Sequence, residues 1–259
     1  MNYPIMDKLT FSVIVPTCDR PAYLLQALES VTNQTKAPHE ILVVDNGRDQ
    51  ADSSLFIDYP LVKMIRALPM MGVSQARNLG AVLAGGSHLA FLDDDDAWES
   101  DYLIQLEATY RRTGAKVVLG SRKIMATGQV VAAKSVPVWT QDWFRNELLM
   151  GNPGVSGSCI SVCRETFVRG RGFDPCLVSG EDRSLVLDLM LRGVRVERAR
   201  EAFILFRAES LLGGRLNNPA NLARGRLRFL INYWRHYRWN QRLVLIKEYI
   251  KLRFNRSRF

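Results

Sequence analysis

Four consecutive aspartates, Asp93, Asp94, Asp95 and Asp96, directly follow the apolar run of residues 88–92. Adjacent carboxylates repel one another, so a cluster at the end of a buried segment needs a cation, an arginine or a helix N-terminus beside it. A hard divalent ion suits the cluster, because Mg²⁺ takes one or two carboxylates and completes its shell with substrate phosphates. A solvated loop capping the helix that begins near Glu99 accounts for the same acids without a metal. A further acid, Asp45, ends the apolar run 41–44, where dinucleotide-binding sheets hold a ribose hydroxyl. It reads equally as the turn aspartate that heads Asn46-Gly47. Glu181-Asp182 follows Gly180 at the start of an apolar helix, where, taken singly, the pair is a cap.

The segment after the first apolar run reads Pro16-Thr17-Cys18-Asp19-Arg20-Pro21. It lacks the G-x-G-x-x-G that lets a pyrophosphate approach a helix N-terminus, which argues against a nicotinamide or flavin dehydrogenase. The four cysteines form no framework. Cys159 and Cys163 have no second pair at zinc spacing, and Cys18 and Cys176 stand alone, so free thiols in a reducing compartment are expected.

These acids require a scaffold that gathers them. Residues 11–15 and 41–44 are continuously apolar, as in strands buried on both faces. Between them Leu24, Leu25, Leu28 and Val31 fall at helical spacing behind Pro21, a first-turn residue. The pattern recurs: strands at 61–65, 88–92 and 116–119, a helix over 73–83 closed by Gly85-Gly86, and another over 102–110 stopped by Gly114. This alternation predicts a doubly wound α/β sheet with helices on both faces. Ligands bind such sheets beyond the carboxyl ends of the strands, where Pro16-Thr17, Asp45-Asn46 and residues 93–96 all fall. Beyond about residue 125 the pattern loosens. Thr127-Gly128 suits a hairpin turn, 139–150 a helix, 152–157 a loop and 182–191 a helix ending at Gly193. Two short strands are expected near 194–196 and 202–206, and Asn218-Pro219 opens a tail helix.

Taken together, these motifs carry a resemblance. Phe11-Ser12-Val13-Ile14-Val15-Pro16-Thr17, Glu40-Ile41-Leu42-Val43-Val44-Asp45, the stretch 72–80 around Arg77, Phe91-Leu92 with Asp93 to Trp98, and Gly172-Phe173-Asp174 with Ser179-Gly180-Glu181-Asp182 stand in one order. In that order the sequence resembles the family 2 glycosyltransferases, over about residues 10–210. The resemblance implies a single GT-A-type fold, a Rossmann-like mixed sheet flanked by helices, and a nucleotide-sugar donor, a UDP-sugar first among them. It implies a nucleotide-sugar half over 1–125 and an acceptor and base half over 126–214, ahead of a tail over 215–259. Pro16, Thr17 and Asp19 would line the nucleotide pocket, and Asp45 would contact base or ribose. Arg77 would face the diphosphate or steady the acids. Asp93 and Asp95 match the family's D-x-D element, with Asp95 the direct ligand of Mn²⁺ or Mg²⁺. Asp182 matches the general base, with Glu181 on the acceptor side. The family often places a histidine after its last core strand, but here that stretch reads Phe206-Arg207-Ala208-Glu209-Ser210, and the histidines are His39, His88 and His236.

The implied reaction is an inverting displacement at the anomeric carbon, with the metal stabilising the departing diphosphate and Asp182 taking the acceptor's proton. The acceptor would be a hydroxyl of a glycan or lipid-linked glycan in cell-surface polysaccharide synthesis. Two rivals stay open: a sugar-phosphate nucleotidyltransferase, which should carry a Gly-rich basic loop that 16–21 is not, and a sugar-nucleotide-binding or membrane scaffold without turnover.

The 259-residue chain carries a net charge of +9, with 47% hydrophobic and 24% charged residues, as in an ordinary globular protein. Residues 215–259 hold twelve Lys and Arg against Glu248, or +11, which leaves the first 214 residues at −2. The tail also holds eight of the chain's 24 aromatics. A basic, aromatic helix can lie on an anionic membrane or pack its stripe on the body. No recognition motif accompanies the charge, so nucleic acid is not the expected partner. No apolar run reaches membrane-span length, and residues 1–10 lack a signal-peptide core, so a cytoplasmic protein, peripheral on the inner face of the cell membrane, is expected.

Overall fold

The chain folds around a mixed sheet in the computed structural model, which describes residues 9–126, 129–134, 139–207 and 219–254. Strands β1 (Phe11–Thr17) and β2 (Glu40–Asp45) are buried along their whole length, as their unbroken apolar runs require. Helix α1 (Pro21–Thr32) joins them, with Pro21 in its first turn and Leu24, Ala27, Leu28 and Val31 buried. β3 (Val62–Arg66) then pairs parallel to β2. After α2 (Val73–Leu83) the chain returns to the other side of β1 as β4 (His88–Phe91), again parallel. This reversal beside β1 makes the switch point at which open α/β sheets bind ligands.

The remaining strands build the second half of the sheet: β5 (Ala97–Trp98), β6 (Val117–Ala126), β7 (Gln129–Lys134), β8 (Ile160–Cys163) and β9 (Val196–Arg207). The strand order is β3-β2-β1-β4-β8-β6-β9-β5, with β7 hung on β6. β8 is antiparallel to both β4 and β6, whereas β6 and β9 are parallel. Helix α1 touches both β1 and β5, which lie far apart in the strand order, so the sheet curls. Helix α3 (Tyr102–Thr113) packs on β6 and β9 and ends at Gly114 in the left-handed conformation.

Three expectations change here. The two short strands near 194–196 and 202–206 are one strand, β9, interrupted by a shift in register. Leu119 pairs with Arg198 while Ser121 pairs with Phe203, so β9 bulges across residues 199–202. The central strand β8 has no counterpart in the sequence reading. The tail forms two helices, α7 (Pro219–Asn232) and α8 (Trp239–Phe254), separated by a turn of 3₁₀ helix at Trp234–His236. The Thr127-Gly128 turn and the Asn218 cap lie outside the described residues, although β6 and β7 do pair antiparallel.

Helices α4 (Gln141–Met150), α5 (Arg164–Val168) and α6 (Glu181–Leu191) complete the body. One face of the tail belongs to the core: Phe229, Leu230, Tyr233 and Tyr237 are buried with it. The Tyr233 hydroxyl lies 2.7 Å from Ser184 Oγ, and that of Tyr237 donates to the Leu149 carbonyl at 2.9 Å. A Cβ at Gly225 would stand 3.0 Å from Ser179 Cβ, so α7 touches the segment leading into α6. The other tail face is exposed and carries Ile231, Trp239, Val244 and Ile250 among arginines. No helix among the described residues is long and apolar enough to cross a membrane.

Candidate active site

The switch point brings the end of β1 against the acids that follow β4. Thr17 Oγ1 donates to Asp94 Oδ2 at 2.8 Å, and the Arg20 guanidinium spans Asp94 and Asp95 at 2.5 and 2.7 Å. Ser158, at the loop entering β8, donates to Asp96 Oδ2 and accepts the Asp93 N–H at 3.1 Å. Its carbonyl accepts from Trp98 Nε1 and the Tyr102 hydroxyl. The aspartates are therefore divided by environment. Asp94 and Asp96 are buried, and burial is the main force that raises their carboxyls to about 7 and about 8, in Asp94 against the pull of Arg20 and Thr17. Asp93 and Asp95 are half-buried, and all four line the cavity beside them.

Arg77, from α2, connects this cluster with the start of α6. Its Nη2 meets Asp93 at 2.5 Å, and its Nη1 meets Asp182 at 2.9 Å and Glu181 at 3.1 Å. The side chain is only 2% exposed. Burial alone would lower its pKa, but Asp93, Asp182 and Glu181 together raise it, so the cation is fixed. Asp182 is pushed well above the usual carboxylate range by burial and then by the charge of Glu181, against the pull of Arg77. Gly157 makes the arrangement fit: a Cβ there would lie 2.6 Å from Arg77 Cζ and 3.0 Å from Asp93 Oδ1.

A cavity of about 950 Å³ opens over these groups, large enough for a sizeable organic ligand. Of the residues singled out from sequence, Pro16, Thr17, Arg77, Asp93, Asp95, Glu181 and Asp182 line it. Asp45 and Asp19 are outside that lining. Asp45 is buried, and its oxygens take the N–H groups of Gly47 and Ala51 and Nη1 of Arg66, so it organises the turn that the sequence offered as its other reading. Asp19 adopts a positive φ of 57° and accepts the Arg48 N–H at 2.8 Å. Of the two roles offered for Arg77, the observed contacts are those of a residue steadying acids.

Sequence reasoning missed Arg20, Ser158 and Gly157. A basic residue one step before Pro21 was the available signal for Arg20. Ser158 and Gly157 sit in an irregular stretch where spacing carries no code. The tail was also absent from the expected site, yet Leu222, Phe229 and Leu230 of α7 and Leu245 of α8 form part of the cavity wall.

Among the described residues no three His, Cys, Asp or Glu side chains stand together as an all-protein metal cage. The acids fit a cation that arrives with phosphate oxygens instead. Asp95 and Asp93 offer hard oxygen donors at the cavity, and the buried Asp96 Oδ1 beside them has no hydrogen-bond partner.

The family model described as Glycosyl transferase family 2 matches residues 12–163. An uncharacterized glycosyltransferase of Haemophilus influenzae is 26% identical over 181 residues, covering 69% of this chain and 61% of that protein. The UDP-Glc:alpha-D-GlcNAc-diphosphoundecaprenol beta-1,3-glucosyltransferase WfgD of Escherichia coli is 27% identical over 161 residues, 61% of this chain and 60% of that one. The chain thus spans about 60% of the length of these relatives. Among solved structures, S. aureus TarS 1-349 in complex with UDP-GlcNAc superposes with a TM-score of 0.70 at 19% identity, over 96% of this chain and 74% of that one.

Proposed function

The chain belongs to glycosyl transferase family 2, and from that premise we propose that it moves a sugar from a nucleotide diphosphate, a UDP-sugar, to a hydroxyl of a glycan or lipid-linked glycan. The observation that carries this reading is Arg77, a buried cation joining Asp93 of the acidic cluster to Asp182 and Glu181 in one cavity. Donor-side acids and a proton acceptor must face a common space if one displacement is to use both. The names of WfgD and of the UDP-GlcNAc complex of TarS support a UDP-sugar donor, and that of WfgD supports a lipid-linked acceptor.

In the proposed reaction the acceptor oxygen attacks the anomeric carbon, the bond from that carbon to the diphosphate breaks, and the hydroxyl proton passes to Asp182. Attack opposite the leaving group inverts the anomeric centre. Burial and Glu181 make Asp182 a stronger proton acceptor than a solvated aspartate, while Arg77 holds its carboxylate in place. Asp95, with Asp93 beside it, would hold a Mg²⁺ or Mn²⁺ ion, which supplies Lewis-acid stabilisation of the departing diphosphate. Arg20, paired with Asp94 and Asp95, keeps positive charge at the same edge.

The exposed tail face, with Trp239, Ile231 and Val244 beside Arg235 and Arg238, suits the headgroup region of an anionic membrane, where a lipid-linked acceptor would be found. The donor assignment is tested by thermal unfolding against a panel of nucleotide sugars with and without Mn²⁺. A true donor at 100 times its Kd stabilises by about 2.7 kcal/mol. No shift with any UDP-sugar, with metal present, would sink the assignment.

A further inference from the structure

Arg183, the residue after Asp182, takes no part in the arrangement described above. Its side chain lines the same cavity with its guanidinium 3.5 Å above the ring of Phe229 in α7. Among the described residues no carboxylate pairs with it, and its Nε is buried without a hydrogen-bond partner. The neighbouring acids are already committed, since Asp182 and Glu181 both turn to Arg77. Burial lowers the Arg183 pKa to about 10, against the pull of Tyr237 and Tyr233, and the positive charge of Arg226 adds to the lowering. Arg226 lines the same wall one helical turn from Phe229 and is held by Glu248 at 2.8 Å.

A half-buried guanidinium without a counter-ion, its Nε closed off from solvent, is costly to keep, and the face of one aromatic ring offsets only part of that cost. The cost is recovered when an anion enters, and arginine matches phosphate oxygens with paired N–H donors. Around Arg183 the wall is largely apolar, with Leu222, Phe229 and Leu230, while Glu248 lines it as the partner of Arg226. The site beside the base therefore offers positive charge followed by an apolar surface.

We propose that Arg183, with Arg226, forms a phosphate subsite on the acceptor side, so that the acceptor carries a phosphate or diphosphate next to the sugar that receives the new linkage, with an apolar group beyond it. This rests on the reading of Asp182 as the acceptor-side base. A phosphate at Arg183 has two sources, the acceptor or the diphosphate of the donor, and the experiment separates them.

The full chain is titrated with farnesyl diphosphate, with farnesol and with UDP, using the wild type, Arg183→Met, Arg183→Lys and Arg226→Gln. Farnesyl diphosphate should bind wild type at least tenfold more tightly than farnesol, and saturating UDP should not displace it. Arg183→Met should weaken it at least tenfold while the Kd for UDP stays within twofold, and Arg183→Lys should recover most of the loss. If Arg183→Met does not fold, Arg226→Gln, altered at a half-exposed position, should still weaken farnesyl diphosphate at least threefold. Displacement by UDP, or an equal loss of UDP binding in Arg183→Met, would overturn the proposal by assigning the arginine to the donor. Unchanged farnesyl diphosphate binding in the arginine variants would also overturn it. Wild type that binds farnesyl diphosphate but neither UDP nor any UDP-sugar would refute the donor reading and leave the subsite standing.

Discussion

Replacing Gly157 by alanine adds one carbon at the point where Arg77 and Asp93 meet. The new Cβ would stand 2.6 Å from Arg77 Cζ and 3.0 Å from Asp93 Oδ1, well inside the roughly 3.5 to 4 Å of normal contact. Arg77 has little room to retreat, because it is 2% exposed and its Cζ lies 5.0 Å from the Phe173 ring centroid. Overpacking of this kind costs about 1 to 3 kcal/mol, and displacing the guanidinium from one carboxylate adds about 1.5 to 3 kcal/mol. The total of about 2.5 to 6 kcal/mol should lower the midpoint of thermal unfolding by about 5 to 12 °C in a chain of this size. Gly151→Ala is the control, since its Cβ would meet nothing within 4 Å, and it should change stability by under about 0.5 kcal/mol. Calorimetry on both variants, with sugar transfer measured beside it, reads the result. If Gly157→Ala melts within a degree of Gly151→Ala and transfers sugar as well, Arg77 is not the rigid bridge described here.

The other expectations concern pH, metal and the tail. Burial alone would raise the Glu40 carboxyl, but Lys63, the Gly85 N–H and Ser12 outweigh it and hold it at about 2 instead of 4.5. Its contribution is thus present above about pH 4.5 and lost as pH falls through about 2, so Glu40→Gln should cost about 2 kcal/mol at pH 7. Denaturant titrations of the two proteins should converge on going from pH 7 to pH 3, and a constant gap would contradict the assignment. Asp95→Ala should remove the dependence of UDP-sugar binding on Mn²⁺, read by calorimetric titration, and an unchanged metal response would move the ligand role elsewhere. In the tail, Phe229→Ala should destabilise by about 3 kcal/mol. Arg235→Glu with Trp239→Ser should leave unfolding unchanged but reduce pelleting with anionic vesicles, and equal pelleting would remove the membrane role.

The parallel half of the fold was legible because strands buried on both faces leave continuous apolar runs, and β1, β2 and β4 show them. β9 was not legible as one strand, since Glu197, Arg198, Arg200 and Glu201 interrupt its apolar pattern. Arg198 nevertheless sits in the interior, stacked on Trp139 and donating to the Gly120 carbonyl. β8 offers only four residues and pairs antiparallel between two distant strands, a long-range relation that no local spacing records. In the site, the order of motifs led to Arg77, Asp93, Asp95, Glu181 and Asp182, all of which line one cavity. Asp45 stands at the end of β2, where its apolar run places it, and its oxygens fasten the turn that follows. Of the tail stripe, Phe229 and Tyr233 turn inward to the core, while Trp239 and Ile231 are exposed.

The central claim, that one cavity holds a nucleotide-sugar donor against Asp182 as base, is tested most directly by comparing wild type with Asp182→Asn. UDP-sugar binding and sugar transfer would be measured on the same preparations with Mn²⁺ present. Donor affinity should stay within a few-fold while transfer falls by about 10² to 10⁴, the usual worth of a positioned base. Full turnover by Asp182→Asn would contradict it.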